Sequence, residues 1–488
     1  MHKFSLRGIF SGLHAQLARS LRATLLGAMA LRTLALLVLT TVGLAAQAQS
    51  ARPDSEAVRA FRDEQLAYSI GLQAYLYGYP AIDYGRVMRE QTTAGADAHG
   101  VYAPVNQFFV QTQLATPGGL YAGRAPNNDT LYFTGWLDLR DGPVVVEAPD
   151  THDRYYALTY ADFYSEVQHT GRRTTGTKAQ RILVAGPGWQ GEVPRGMQVI
   201  RLKTRLGYVL GRVVVNGPGD TAAANALMAR FKIQPLDKSV ATKSPSPELP
   251  MVAAQTSLDF FRFLNLFLRD NPRLPAEDAL MAQFDLIGVG PHMQFDAGKL
   301  SAGTRKGLER ALVDGRRILS EAAYAAPNKG WSPIRQLYGV YGFNYLMRAI
   351  VEYNGFLGNV PEESAYPSIN FDEAGAMLTG AKAYRLKFAA DALPPVDAFW
   401  SLSAYDVRTI DLIPNPIDRY SLGDRTPDLK RKPDGSIEIR LQKNAPQESD
   451  VNWLPVGDGP FFLTLRMYQP QPAALEGQYR LPLVEVLP

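Results

Sequence analysis

Residues 125–162 read APNNDTLYFTGWLDLRDGPVVVEAPDTHDRYYALTYAD. Three short runs rich in β-branched and aromatic residues, 131–137, 144–147 and 155–160, are divided by clusters of Asn, Asp, Gly and Pro. β-branched and aromatic side chains suit a pleated surface, and the dividing residues suit tight turns. The pattern continues through 181–184, 197–202 and 208–215. Strands this dense with turns this short point to an antiparallel sandwich or barrel and away from βαβ units.

Outward from this block the periodicity changes. Towards the N-terminus, Val58, Phe61, Leu66, Ile70 and Ala74 recur at three- to five-residue steps, which predicts a helix over 57–89 that Pro80 interrupts. Towards the C-terminus, 221–358 reads as helical, with segments at 257–268, 275–284, 304–325 and 345–357. Within it Pro235, Pro245, Pro247 and Pro250 mark an exposed linker. The β pattern returns at 384–388, 399–405, 437–442 and 461–468, with Pro433-Asp434-Gly435-Ser436 as a hairpin turn. The expected fold is therefore β-rich and multidomain. Its parts are a leader at 1–48, an N-terminal helix plus β domain at 49–220, a helical connecting segment at 221–380 and a C-terminal antiparallel β-sandwich at 381–488.

The leader carries Lys3, Arg7, Arg19, Arg22 and Arg32 and no acid, then an apolar run from Leu34 to Leu44, and ends Ala46-Gln47-Ala48. That is the layout of a secretory signal cleaved after Ala48; the long basic region makes a retained membrane anchor the competing reading, against which the uncharged stretch is shorter than the roughly 20 residues of a spanning helix. The expected location is the periplasm or the medium, with no stable membrane insertion after cleavage. Removing five of the 51 basic residues leaves 46 against 47 acidic ones, so the chain's positive charge belongs to the leader. No long basic block remains to bind nucleic acid. Cysteine is absent, which excludes disulfides and thiolate metal sites.

Gly186-Pro187-Gly188-Trp189-Gln190-Gly191 matches G-x-G-x-x-G, but the residues after it read as another strand, so no helix N-terminus is expected to meet a pyrophosphate there. It is expected to be a loop between strands. No nucleophile elbow, Walker A or H-E-x-x-H string occurs. His152 and His169 flank the run 155–160 with Asp153 and Asp162 nearby, without a spacing specific to a metal. Metal and cofactor stay unassigned. The densest polar group is Asn127-Asn128-Asp129-Thr130 with Tyr132 and Trp136. Asn and Asp here can close an Asx turn on their own backbone, and they can also present amide, carboxylate and phenol groups to a ligand. A second group lies in the C-terminal half at Trp400, Arg419 and Trp453.

Together these residues resemble two paired domain families of unknown function. The motifs Ala125–Tyr132, Arg154-Tyr155-Tyr156, Asp162, Gly171-Arg172-Arg173-Thr174-Thr175-Gly176 and Gly186–Trp189 are similar to family 1254. Phe399-Trp400-Ser401-Leu402, Asn415-Pro416-Ile417-Asp418-Arg419-Tyr420, Asp434-Gly435-Ser436 and Asn452-Trp453-Leu454-Pro455 are similar to family 1214. The resemblance implies an N-terminal β domain, a helical connection and a C-terminal sandwich of jelly-roll type. It implies no catalytic residues.

Three functions are open to these residues. An envelope hydrolase would use Asp129 and Asp162 as acid/base carboxylates, with Arg172 or Arg419 as an anion clamp in a cleft between the β domains. A binding module would hold a sugar or another small molecule on Trp136, Trp400 and Trp453, aided by Asn127, Asn128 and Tyr132. An assembly protein would use its sheet edges. Substrate and oligomeric state are not written in the sequence.

Overall fold

The alternation of side chains along the strands decides the architecture. In the strand Thr130–Asp138, Leu131, Phe133 and Leu137 point one way while Thr130, Tyr132, Thr134 and Trp136 point the other. Both faces are buried, with Tyr132 alone half-exposed. A strand with two buried faces needs a layer on each side. A computed structural model of the chain describes residues 55–96, 100–238, 247–323, 330–334, 336–448 and 450–488. The leader with its cleavage point, His99 and Pro245 fall outside the described residues. Residues 63–488 form one unit.

Four sheets stack in that unit. Sheet I pairs Gln198–Arg201, Gln180–Ala185, Val144–Ala148 and Lys232–Pro235 in that order. Sheet II orders Phe109–Val110, Thr130–Asp138, Leu206–Val214, Tyr156–Asp162 and Val167–Gly171, all antiparallel. Leu131, Phe133, Tyr156, Leu158, Val209 and Val213 of sheet II meet Val144, Val146, Ile182 and Val184 of sheet I in one apolar core.

In the C-terminal half, sheet III is built on Val396–Asp406 and Phe461–Pro470, and sheet IV on Tyr384–Phe388 and Ile437–Gln442. Trp400, Leu402, Ala404, Leu463, Leu465 and Met467 of sheet III share a core with Leu386, Phe388, Ile437 and Ile439 of sheet IV, which makes a sandwich. The C-terminal β pattern is thus present as expected, although Ile437–Gln442 pairs in parallel with Asn452–Pro455. Gln180–Ala185 likewise pairs in parallel with Gln198–Arg201 across the Gly186–Gly191 loop, which is a strand-loop-strand connection.

The helices share an apolar core of their own, and the first of them also packs on sheet II. Tyr75, Tyr77 and Ile82 of the helix Glu56–Thr92 share a core with Phe260, Phe261 and Leu264 of the helix Asp259–Asp270 and with Leu308, Leu312 and Leu319 of the helix Ala302–Ala323. Pro80, expected to interrupt the first helix, lies inside it. A proline inside a helix costs about 3 kcal/mol. The buried run Tyr77 to Gly85 around it offsets that cost through packing. None of the described helices is long and apolar enough to cross a membrane.

Candidate functional site

The second face of sheet II packs on the helix Glu56–Thr92 at its Trp136 and Tyr208 end, and at its Ala157 and Val214 end it meets the second face of sheet III. The residues of both faces are fixed by register. In sheet II, Tyr132 stands opposite Arg212, and Arg212 opposite Ala157. In sheet III, Phe399 stands opposite Tyr468, Ser401 opposite Arg466 and Ser403 opposite Thr464. The result is a polar layer between two strongly paired sheets. An apolar patch of Tyr155, Ala157, Val214, Phe399 and Tyr468 joins the two faces at one end.

Two ion pairs and two unpaired guanidiniums populate the layer. Asp129 accepts from Ser401 Oγ at 2.6 Å and from Arg425 Nη2 at 2.9 Å, so one carboxylate joins the two halves of the chain. Glu363 accepts from Tyr155 Oη at 2.8 Å and from Arg173 Nε at 2.9 Å. Arg212 and Arg466 are both 5% exposed. Among the described residues no carboxylate lies within ion-pair distance of either. Arg212 Nη1 donates to Tyr366 Oη at 3.3 Å, and its Nε makes no hydrogen bond. With the Asn359 amide turned to satisfy its neighbours, Oδ1 accepts from both Arg212 terminal nitrogens at 3.1 and 3.2 Å. Arg466 donates to Ser403 Oγ at 3.2 Å and to the Ala125 carbonyl at 2.7 Å. Ala125 sits at φ 46°, an uncommon conformation for a residue with a Cβ.

One tyrosine ties the two cations together: Tyr366 accepts from Arg212, and its ring centroid lies 5.9 Å from the Arg466 guanidinium carbon. Tyr132 also faces Arg212, at 5.4 Å. Burial raises the phenols of Tyr132, Tyr405 and Tyr468 above the usual tyrosine range, so they stay neutral. Burial pulls His169, which contacts Asn359, down to about 3, so it is neutral as well. Arg212 and Arg466 therefore hydrogen-bond only to neutral groups, and the charge of Asp129 reaches Arg466 from beyond ion-pair distance. Tyr132, Tyr366 and His169 are half-buried and bring the layer towards solvent.

The residues expected from the sequence are distributed differently. Asn127 Oδ1 accepts from the backbone N–H of Asp129 at 2.5 Å and of Thr130 at 3.1 Å. The Asx turn is thus closed by Asn127, whose Nδ2 donates to Tyr468 Oη, and not by Asp129. Asn128 donates to the Ala115 carbonyl and holds a loop. Asp129 and Tyr132 belong to the layer. Asp162 does not: it ends its strand opposite Gly207, whereas Asp129 adjoins the pair Thr130 and Val214 at the other end of the sheet. Asp129 bonds Val215, eight residues along the strand from Gly207, and at ~3.3 Å per residue the two positions are roughly 25 Å apart, too far to share a reaction. Arg172 bonds Asp153 and Gln469 at the edge of the layer. Arg419 bonds the Trp453 carbonyl, and Trp453 Nε1 the Gln442 carbonyl, within the C-terminal half. Trp400 is core of the sandwich, and Trp136 packs among Tyr84, Phe163 and Tyr208 with Nε1 on Gln91. Trp136, Trp400 and Trp453, 3%, 2% and 9% exposed, offer no common platform for a sugar. His152 is exposed beside Asp150. No group of three or more His, Asp or Glu gathers among the described residues.

Arg212 and Arg466 do not stand out by motif or spacing, yet each carries a signal. Each is a lone cation inside an apolar strand, in Val209-Leu210-Gly211-Arg212-Val213-Val214 and in Leu463-Thr464-Leu465-Arg466-Met467.

Asp162 yields a test of its own. Its Oδ1 caps a turn by accepting from the backbone of Tyr164 and Glu166 at 2.9 and 3.1 Å, and burial pushes its carboxyl up from 3.8 to about 6. Because the folded value lies above the unfolded one, the folded state binds the proton more tightly. This contribution is full below about pH 4 and is lost as pH rises through about 6. Asp162→Asn keeps the acceptor and removes the charge. It should be close to wild type at pH 4 and more stable by on the order of 2 kcal/mol at pH 8, read by urea melts. An equal effect at both pH values would contradict burial as the cause.

Comparison with known proteins divides along the two halves. Residues 105–235 match a family described as protein of unknown function, DUF1254, and residues 363–472 match a second described in the same words, DUF1214. Arg212 falls in the first and Arg466 in the second. No functionally curated protein matches the chain. Among solved structures, the VPA0106 protein of Vibrio parahaemolyticus is similar at 26% identity and a TM-score of 0.64, over 86% of this chain and 100% of its own. An uncharacterised protein from Burkholderia cenocepacia aligns at 14% identity and a TM-score of 0.42, over 89% of this chain and 91% of its own.

Proposed function

We propose that this pairing of two families of unknown function is an exported envelope protein that binds a small anionic molecule in the layer between sheets II and III, with Arg212 and Arg466 as the clamp. The basic leader and the apolar run from Leu34 to Leu44 support export. The observation that carries the binding reading is the pair of buried guanidiniums without carboxylates. Taking one ion out of water costs several kcal/mol even after relaxation, and neutral phenols and amides return only part of it. Arg425 and Arg173, in the same region, do have carboxylate partners. A ligand anion would give Arg212 and Arg466 what those two already have. Binding is favoured over hydrolysis because Asp129 has both oxygens engaged and Asp162 stands at the far end of its sheet.

Thermal melting with phosphate, sulfate and simple carboxylates, each against chloride at equal ionic strength, tests this. A ligand that binds only the folded state raises the midpoint in a saturable way. A saturable rise with at least one oxyanion is expected. Identical midpoints throughout would overturn the reading, and release of product from an ester panel at this site would turn it into the hydrolase.

A further inference from the structure

We infer that the ligand of this clamp is a small dianion, either one doubly charged oxyanion group or two carboxylates on a short chain. The inference rests on the binding reading and adds the charge and size of the molecule. The first ground is the balance of charge inside the layer. Asp129 answers Arg425 and Glu363 answers Arg173, which leaves two positive charges, on Arg212 and Arg466. The one further carboxylate nearby, Asp424, accepts from the Trp400 backbone and acts on Arg425 and Asp129, while among the described residues none contacts Arg212 or Arg466, and the phenols of Tyr132, Tyr405 and Tyr468 are held neutral by burial. A monoanion would leave one guanidinium buried and uncompensated, and a dianion leaves none.

The second ground is size. Both guanidiniums reach the one side chain of Tyr366, Arg212 through the hydroxyl and Arg466 across the ring. A molecule touching both need be no longer than that phenol. The third ground is donor supply. Arg212 Nε is buried and unbonded, so it can donate to an oxygen without giving up a present partner. The Ala125 carbonyl held by Arg466 belongs to a turn strained by its positive φ, and a stronger acceptor can replace it. Charge-assisted bonds of guanidinium to an oxyanion are about twice as strong as those to neutral acceptors, which favours the exchange.

Calorimetric titration at pH 8 and fixed ionic strength tests the inference with matched pairs: phosphate against dimethyl phosphate, and succinate and glutarate against acetate and butyrate. At least one dianion should bind tenfold or more tightly than its monoanionic match. In Arg212→Gln and in Arg466→Gln, with folding verified by circular dichroism, that preference should fall below about threefold. Preference for phosphate alone would identify a single doubly charged group, and preference for the dicarboxylates a two-ended ligand. Equal affinity of dianions and monoanions for the wild-type protein would overturn the inference and leave the clamp standing. Absence of binding by every anion would overturn both.

Discussion

Arg212→Met is expected to leave the protein folded, within about 1 kcal/mol of wild type without ligand, and to weaken anion binding about 100-fold. Two opposing terms set the first number. Methionine removes a buried charge whose desolvation costs several kcal/mol, and exchanging buried ionic groups for apolar ones of similar volume is often neutral or stabilising. Against this, Tyr366 and Asn359 lose a donor, at about 1–3 kcal/mol for groups left unsatisfied. Asn359 keeps the Ser364 and Tyr366 hydroxyls as donors, so the loss is at the low end. The second number comes from removing one partner of a desolvated charge pair, which costs about 2–5 kcal/mol, at 1.4 kcal/mol for each tenfold. Urea melts and calorimetry read the two halves. A variant that unfolds, or one that binds as the wild type does, would mean that Arg212 serves the fold and not a ligand.

Asp129→Ala should act the other way and destabilise the apo protein by about 2–3 kcal/mol, below the roughly 3–5 kcal/mol of a fully buried orphaned charge because Arg425 is one fifth exposed. Arg425 would remain stacked at 3.9 Å on the Phe399 ring without its ion-pair partner, and Ser401 would lose its acceptor. Replacing both ends, as Asp129→Ala with Arg425→Met, should recover most of the loss, because the damage comes from the orphaned cation. Equilibrium denaturation of the two single variants and the double gives the coupling directly. A loss below 1 kcal/mol for Asp129→Ala would show that this carboxylate does not join the two halves of the chain.

Much of the secondary structure is legible in the sequence. The strands Tyr384–Phe388 and Ile437–Gln442 lie where the pattern puts them, and Thr130–Asp138 extends its run by one residue at each end. The strand Val167–Gly171 escapes the pattern because its sequence, Val-Gln-His-Thr-Gly, has one apolar residue and no alternation to read. Pro80 misleads because local propensity says nothing of the packing that surrounds a helix. The site is hidden for a different reason. In Phe399-Trp400-Ser401-Leu402-Ser403 the alternation separates two faces, and Trp400 draws attention while it faces the sandwich core. Ser401, on the other face, would ordinarily look at solvent. Only the stacking of sheet III on a sheet nearly 200 residues earlier in the chain buries that face, and no periodicity records such stacking. Asn127 and Asp129 exchange roles because either side chain can close the same turn, and the choice depends on Arg425, which the chain brings in from far away.

If Arg212 and Arg466 hold an anion between sheets II and III, anomalous scattering from crystals soaked in selenate will locate it there. A selenium peak is expected with its oxygens in hydrogen-bond distance of both guanidiniums, Arg212 Nε among the donors. Peaks confined to exposed cations such as Arg181 and Lys232, with the layer unchanged, would contradict that placement.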